Sequence, residues 1–140
     1  MDHGHDLTMP LIHVPLVLGF PGRIPKGVKV STPVGARHVA ATILSLAGLD
    51  RSSIGGKSLE PLWAGGDQSP TIGRGFSRQG ELASLVTDEF HFLRGPDGRE
   101  RLFAYREDPL ELNDLSENPE LATVRSTLRE ELRVLLDGGT

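Results

Sequence analysis

The first eight residues, MDHGHDLT, place two histidines and two aspartates close together: Asp2, His3, His5 and Asp6. A carboxylate beside an imidazole is an ordinary ligand pair for a divalent cation. An imidazole can also donate a proton or a hydrogen bond near neutral pH. The cluster therefore suggests either a metal site or a site that contacts a substrate. A solvated loop without a function is the third interpretation that the residues allow.

The composition excludes several other kinds of chemistry. The chain of 140 residues has no cysteine, so disulfides, thiolate metal sites and a cysteine nucleophile are all absent. Its net charge is −4, and its C-terminal basic residues are mixed with acidic ones, so nucleic acid is not an expected partner. The apolar stretch from Leu11 to Phe20 is too short to span a membrane, and we recognise no signal peptide, which leaves the localisation open.

The segment after the opening cluster is the first element that could position it. IHVPLVLGF is almost continuously apolar, which predicts a strand buried on both faces of a mainly parallel sheet. Pro15 favours a strand start or an edge. A single strand of this kind leaves backbone groups unsatisfied unless other strands pair with it.

A helix and a long loop are predicted next. Residues 34–49 have apolar side chains at helical spacing, and Gly48 stands where a left-handed cap would end the helix. The predicted buried stripe consists of Val39, Ile43, Leu46 and Ala47. The Gly-, Ser- and Pro-rich stretch that follows predicts a surface loop anchored by Leu59, Leu62 and Trp63. We expect a boundary there, with residues 1–68 in one domain and 69–140 in another.

The second half of the chain predicts a small antiparallel sheet with a helix. ELASLVTDEFHFLRG indicates two strands around Thr87 and Asp88, and GPDGRERLFAY indicates a turn at Pro96 to Gly98 followed by another strand. From Pro119 onward, apolar residues recur at intervals of three and four. Asn118 or Ser116 is the expected cap of this helix.

The remaining polar residues are expected to have structural roles. His13 is interpreted as a strand-end residue with its hydrogen bonds satisfied, and His38 and His91 are interpreted as surface or packing residues. Glu107, Asp108 and Glu111 lie in a turn beside Pro109, where acidic side chains commonly cap and bridge backbone amides.

Five stretches in a fixed order resemble the C-terminal portion of a sulfatase of the alkaline phosphatase superfamily. They are HGHDL followed by IHVPLVL, then FPGRIPKG, AATILSLAGL, GKSLEPLWAG and RLFAYREDPLELNDL. The resemblance covers His3 to about Leu136. It departs from the family at Arg37, His38 and Ala41, and the aromatic of the RLFAY element is shifted. The fold that it implies is an α/β fragment. This fragment comprises the end of an alkaline-phosphatase-like α/β sheet domain, then a small antiparallel sheet with a C-terminal helix.

The resemblance implies hydrolysis of sulfate esters with a divalent cation, usually Ca²⁺. The formylglycine motif C/S-x-P-x-R that supplies the family's nucleophile does not occur in this sequence. We therefore expect the isolated chain to be inactive and to bind no cation by itself, and to dock against an N-terminal catalytic portion. By its distance from the VPL segment, His3 is the residue expected to contact the sulfate or the leaving group.

Two alternatives remain. Asp2 and His3 would form a metal pair if the chain resembles phosphonate-hydrolase-like members, and the substrate would then be a phosphonate or phosphate ester. The chain could instead be a binding or assembly module whose exposed sheet edge docks a partner.

Overall fold

A computed structural model describes residues 6–64, 75–79 and 81–137, with side chains for 6–64 and 81–137. The candidates Asp2, His3 and His5 lie outside the described residues. The chain divides into two compact units, Pro15–Gly75 and Met1–Val14 together with Phe76–Thr140. The expected boundary between residues 68 and 69 stays a prediction.

The second of these units, which we call the sheet unit, is built on four strands. They are β1 (Gly75–Gln79), β2 (Leu82–Val86), β3 (His91–Arg94) and β4 (Glu100–Phe103), in the order β1-β2-β3-β4. β2 pairs antiparallel with β3, which pairs antiparallel with β4. This arrangement confirms the predicted sheet, including the turns before β3 and before β4.

The alternation of side chains along the strands gives the sheet two buried faces. One face places Ala83, Leu85, Phe92 and Leu102 against Leu128 and Leu132 of the C-terminal helix. That helix, α4 (Ala122–Asp137), follows a 3-10 turn at Pro119–Leu121. Asn118, one of the two predicted caps, caps this 3-10 turn, because its side chain accepts a hydrogen bond from the Glu120 amide at 3.0 Å.

The opposite face of the sheet is covered by the segment that follows the opening cluster. Leu7 packs against Leu93 and Phe103, with Ile12 and Leu82 at the edge of this cluster. A short helix, α1 (Met9–Ile12), lies within the segment. The N-terminal segment therefore belongs to the core of the C-terminal sheet.

The strand predicted for IHVPLVLGF is wrong for this structure, because residues 13–20 lie in neither helix nor strand. Val14 is 72% exposed and Val17 is 90% exposed. A strand requires a hydrogen-bonded neighbour, and none of the described strands pairs with this segment. Pro15 additionally lacks the amide that a ladder would use.

The other unit, Pro15–Gly75, contains the predicted helix as α2 (Arg37–Leu46) and a short helix α3 (Pro61–Ala64). Gly48 adopts the predicted left-handed conformation, with φ 69°. The buried face differs from the predicted stripe, since Ile43 is exposed and the buried residues are His38, Ala41, Thr42 and Leu46. Two polar side chains thus occupy the buried face. In the described part of the chain, no helix is long and apolar enough to cross a membrane.

Candidate functional site

The described residues show how the chain is held directly after the opening cluster. Asp6 accepts hydrogen bonds from the Leu7 amide at 2.8 Å and from the Thr8 hydroxyl at 3.2 Å. Its carboxylate also lies 3.5 Å from the guanidinium of Arg101 on β4. Asp6 therefore shapes the local turn and adds a partly exposed ion pair to the sheet.

A buried carboxylate fixes the same segment more firmly. Oε2 of Glu111 accepts a hydrogen bond from the Met9 amide at 3.0 Å, across 102 residues of sequence. Leu7 and Met9 are both buried, so this contact and the apolar packing act on the same stretch. The prediction that Glu111 bridges a backbone amide is confirmed.

Glu111 also pairs with His91, which the sequence did not indicate. Nδ1 of His91 lies 2.5 Å from Oε1 of Glu111, and both side chains are fully buried. An ionised carboxylate only accepts hydrogen bonds, so we assign the proton to Nδ1. The other ring nitrogen, Nε2, is buried without a hydrogen-bond partner. We call the contacts of His91, Glu111 and the Met9 amide the Glu111 clamp.

The turn that carries Glu111 orients its carboxylate inward. Glu111 has φ 55°, a left-handed conformation that is uncommon for a residue other than glycine. Its amide donates to the carbonyl of Asp108 at 3.0 Å, and the Asp108 carboxylate accepts from the Asn113 amide at 2.8 Å. Strained backbone of this kind persists where surrounding contacts determine it.

The unit of α2 has its own network of polar contacts. Nδ1 of His38 accepts the Lys57 amide at 2.9 Å, and the Thr42 hydroxyl accepts the Leu59 amide at 2.9 Å. Burial is the main cause that lowers the pKa of His38, and the charge of Arg37 adds to it. A neutral imidazole is what an acceptor at Nδ1 requires. These contacts fasten the loop of residues 56–60 to α2.

A second carboxylate lies on the same loop. Glu60 accepts a hydrogen bond from the Ser58 hydroxyl at 2.8 Å. Hydrogen bonds from Ser45 and Ser58 lower the pKa of Glu60, and the nearby charges of Arg23 and Arg51 lower it further. Glu60 is therefore an ionised side chain whose hydrogen bonds link the loop to Ser45 of α2.

The structure brings together none of the sequence-predicted site residues, since Asp2 and His3 lie outside the described part. Within residues 6–64 and 81–137, no group of three or more His, Asp or Glu side chains could hold a metal ion. The Glu111 clamp offers only two such groups, and both are enclosed by the core. The described residues therefore do not fit a Ca²⁺ site, and His13 is exposed on the segment that was predicted as a strand.

Comparisons with known proteins give structural matches alone. No protein-family profile and no curated protein sequence matches the chain. A phosphonate monoester hydrolase of Agrobacterium radiobacter is 20% identical, with a TM-score of 0.55, and the match covers 74% of this chain and 25% of that chain. The likeness supports the expected fold class.

Two further solved structures are similar. A protein in complex with its substrate D-glucosamine-2-N,6-O-disulfate is 21% identical, with a TM-score of 0.55, over 69% of this chain and 22% of that chain. A protein described as a sulfatase from Bacteroides thetaiotaomicron is 20% identical, with a TM-score of 0.52, over 69% and 23%. The chain thus spans about a quarter of the length of these proteins, with which it shares a fold.

Proposed function

We propose that this chain is the C-terminal portion of a sulfatase-like hydrolase that cleaves sulfuric esters. The observation that carries the proposal is its similarity in fold to proteins of this kind, with a TM-score of 0.55 and 0.52. The order of the five sequence stretches from His3 to about Leu136 supports it independently. The chain matches only about a quarter of the length of each similar protein, as a portion of a longer enzyme would.

The substrate class that we propose is a sulfated sugar. One similar protein has D-glucosamine-2-N,6-O-disulfate as its substrate. Cleavage of such an ester needs an activated oxygen nucleophile, cationic groups on the sulfate oxygens, and a proton for the leaving oxygen. In our proposal the nucleophile and the Ca²⁺ ligands belong to an N-terminal portion, and the cation would neutralise sulfate charge there.

This chain would contribute the rim of the active site. His3 would contact a nonbridging sulfate oxygen or donate a proton to the leaving group. The Glu111 clamp supports this role indirectly, because it fixes Met9, six residues after His3, on a buried sheet. We propose that the clamp contributes by helping to position His3.

The proposal also includes docking to the N-terminal catalytic portion. The apolar segment at residues 13–20 presents Val14, Leu16, Val17 and Phe20 with exposed fractions of 72%, 44%, 90% and 41%. Adjacent exposed apolar side chains of this kind commonly mark an interaction site. The segment lies in neither helix nor strand, so a neighbouring strand could pair with its backbone.

A second candidate function is hydrolysis of phosphonate or phosphate monoesters. The similarity to a phosphonate monoester hydrolase, over 74% of this chain, favours it. In that case Asp2 and His3 would be metal ligands. A binding module without catalysis is the remaining alternative.

One assay separates these functions. An antibody against α4 would capture the native polypeptide that contains these residues, and the captured material would receive an aryl sulfate, an aryl phosphonate monoester and an aryl phosphate, each with Ca²⁺. We expect preferential hydrolysis of the sulfate ester. Preference for the phosphonate or phosphate ester would establish the second candidate, and hydrolysis of none would favour the binding module.

A further inference from the structure

Three arginines surround one carboxylate between α4 and the sheet. Nε and Nη2 of Arg129 donate hydrogen bonds to the two carboxylate oxygens of Glu100, at 2.5 and 2.7 Å. Nε of Arg125, about one helical turn earlier, lies 4.0 Å from Oε2 of the same carboxylate. The hydrogen bonds from Arg129 are the main cause that lowers the pKa of Glu100, so this carboxylate is ionised.

The third arginine comes from the sheet. Arg94 lies directly opposite Glu100 in the pairing of β3 with β4, so the two side chains share one face with their Cβ atoms about 5 Å apart. Arg94 follows Phe92 by two residues, and Phe92 packs against α4, so this face is the one that α4 covers. On β2 the residue opposite Arg94 is Ala83, which has no charge. The arginine cluster is the name that we give to Arg94, Glu100, Arg125 and Arg129.

The arginine cluster carries a surplus of positive charge. Its three guanidinium groups and one carboxylate sum to +2. Acidic residues could balance Arg125 and Arg129 from positions three or four residues away on α4, but none of those positions is Asp or Glu. The two arginines are themselves four residues apart, and like charges at this spacing destabilise a helix. A bound anion would relieve this repulsion.

The guanidinium of Arg125 also has an unpaired donor. Its Nε is buried and has no hydrogen-bond partner in the part of the chain that the structure describes. The distance of 4.0 Å to Glu100 is too long for a hydrogen bond. A buried donor without an acceptor is costly, and more so when it carries charge. The side chain of Arg125 is 28% exposed, so part of it remains accessible to a small solute.

We propose that the arginine cluster binds a phosphate group, either as free phosphate or as a phosphate monoester. A phosphate monoester carries about −1.5 to −2 charges at neutral pH, which matches the surplus of the cluster. A single carboxylate would balance only half of it. Guanidinium groups bind phosphate oxygens through two parallel hydrogen bonds. The inference is independent of the proposed function.

The carboxylate of Glu100 favours phosphate over sulfate. An ionised carboxylate can only accept hydrogen bonds. Phosphate retains a proton with a pKa near 6, so a fraction of it near neutral pH has a P–OH group that can donate to Glu100. Sulfate has no such proton, and its oxygens would face the carboxylate as a second set of acceptors. Glu100 therefore has the chemistry of a selectivity residue.

The test is a titration of the full 140-residue chain with inorganic phosphate, followed by the arginine Nε–Hε NMR signals at constant ionic strength. Phenyl phosphate and sulfate are titrated in the same way. Arg94→Gln and Arg125→Gln each remove one guanidinium of the cluster. The matched control is Arg133→Gln, because Arg133 is an arginine of α4 that already pairs with Glu130 and Asp137. Circular dichroism would check that the variants fold.

We expect saturable shifts of the signals of Arg94, Arg125 and Arg129, with the signal of Arg133 unchanged. Arg94→Gln and Arg125→Gln should each weaken phosphate binding by roughly tenfold, since each loses a charge-assisted hydrogen bond. Arg133→Gln should change it by less than about twofold. Tighter binding of phenyl phosphate than of inorganic phosphate would identify an esterified ligand, and the reverse would identify free phosphate.

Sulfate should bind the unaltered chain at least about fivefold more weakly than phosphate. Glu100→Gln removes the carboxylate, so the affinities for sulfate and phosphate should become similar. The two cluster variants Arg94→Gln and Arg125→Gln keep the pair of Glu100 with Arg129, and they test the site even where Glu100→Gln does not fold.

Three outcomes would overturn the inference. They are absence of saturable binding of both phosphate compounds, an equal loss of affinity in Arg133→Gln, and tighter binding of sulfate than of phosphate by the unaltered chain. A preference for phosphate that persists in folded Glu100→Gln would refute the selectivity assigned to Glu100.

Discussion

Glu111 combines a left-handed backbone with a buried carboxylate that binds two partners. The carboxylate accepts a hydrogen bond from the Met9 amide and pairs with His91, and both side chains of the pair are fully buried. A left-handed conformation costs an L-residue about 1–2 kcal/mol. The contacts of the side chain must offset that cost, which makes Glu111 a sensitive position for mutation.

Two substitutions of Glu111 separate the side-chain contacts from the backbone strain. Glu111→Ala should lower the free energy of unfolding of the sheet unit by about 3 kcal/mol, since it leaves two buried donors without a charged acceptor. Glu111→Gly loses the same contacts but tolerates φ 55°, so it should be about 1 kcal/mol less destabilising than alanine. Native-state hydrogen exchange of β3 amides measures both values. Equal destabilisation, or a larger loss in the glycine variant, would contradict the strain argument.

His38 predicts how the stability of Pro15–Gly75 depends on pH. Burial lowers its pKa below the ordinary 6.5, so the unfolded chain binds the proton more readily than the folded chain. The stabilising contribution is therefore complete above pH 6.5 and is lost as pH falls through the lower pKa of the folded state. Urea unfolding followed by Trp63, the sole tryptophan, should show this loss.

The variant His38→Asn provides the control for this pH effect. The asparagine oxygen can accept the Lys57 amide, as Nδ1 does, but the side chain does not titrate. The variant should lose the decline in stability below pH 6.5. An unchanged decline would assign the pH effect to other groups.

At the scale of elements, Gly56 is a position where the loop backbone approaches α2 closely. A Cβ atom on Gly56 would lie 2.4 Å from the carbonyl oxygen of Arg37, and its φ is +102°. Gly22 has a similar φ of +81° but open space around the Cβ position. Gly56→Ala should therefore destabilise the unit by roughly 3 kcal/mol, against about 1 kcal/mol for Gly22→Ala.

Trp63 fluorescence during urea unfolding would compare these two glycine variants. Both substitutions place a side chain at positive φ, so the difference between them isolates the close approach to the Arg37 carbonyl. Similar stabilities of the two variants would mean that the loop moves away from α2 at little cost.

Elements with local signals could be predicted from the sequence. Alternating apolar residues indicated β2, β3 and β4, and the spacing of Leu128 and Leu132 together with Asn118 indicated α4 and its start. These signals depend on residues close in sequence. The fold class could be inferred because five stretches spread along the chain resemble one family in a fixed order.

Features that depend on distant partners could not be predicted. The apolar segment at residues 13–20 forms no strand, because a strand needs a neighbour that local composition does not supply. The buried face of α2 was misplaced because His38 and Thr42 bind loop amides 19 and 17 residues away. The His91–Glu111 pair joins residues 20 apart, and no local pattern marks it.

At the scale of the whole molecule, the two units carry different kinds of surface. The sheet unit holds the segment after His3 by the Glu111 clamp, and Pro15–Gly75, with seven Lys or Arg and three Asp or Glu, carries a net charge of +4. In the proposed enzyme the sheet unit would position a catalytic residue. This role requires a larger polypeptide that supplies the nucleophile.

The most direct test measures sulfate-ester hydrolysis by antibody-captured native polypeptide after separation by size. The chain covers 25% and 22% of two similar proteins, so activity should elute with a species about four times as long as this chain. Purified 140-residue chain should release no sulfate from an aryl sulfate with Ca²⁺. Hydrolysis that elutes at 15.1 kDa and is lost in His3→Ala, or captured material that is only 15.1 kDa and inactive, would contradict the account.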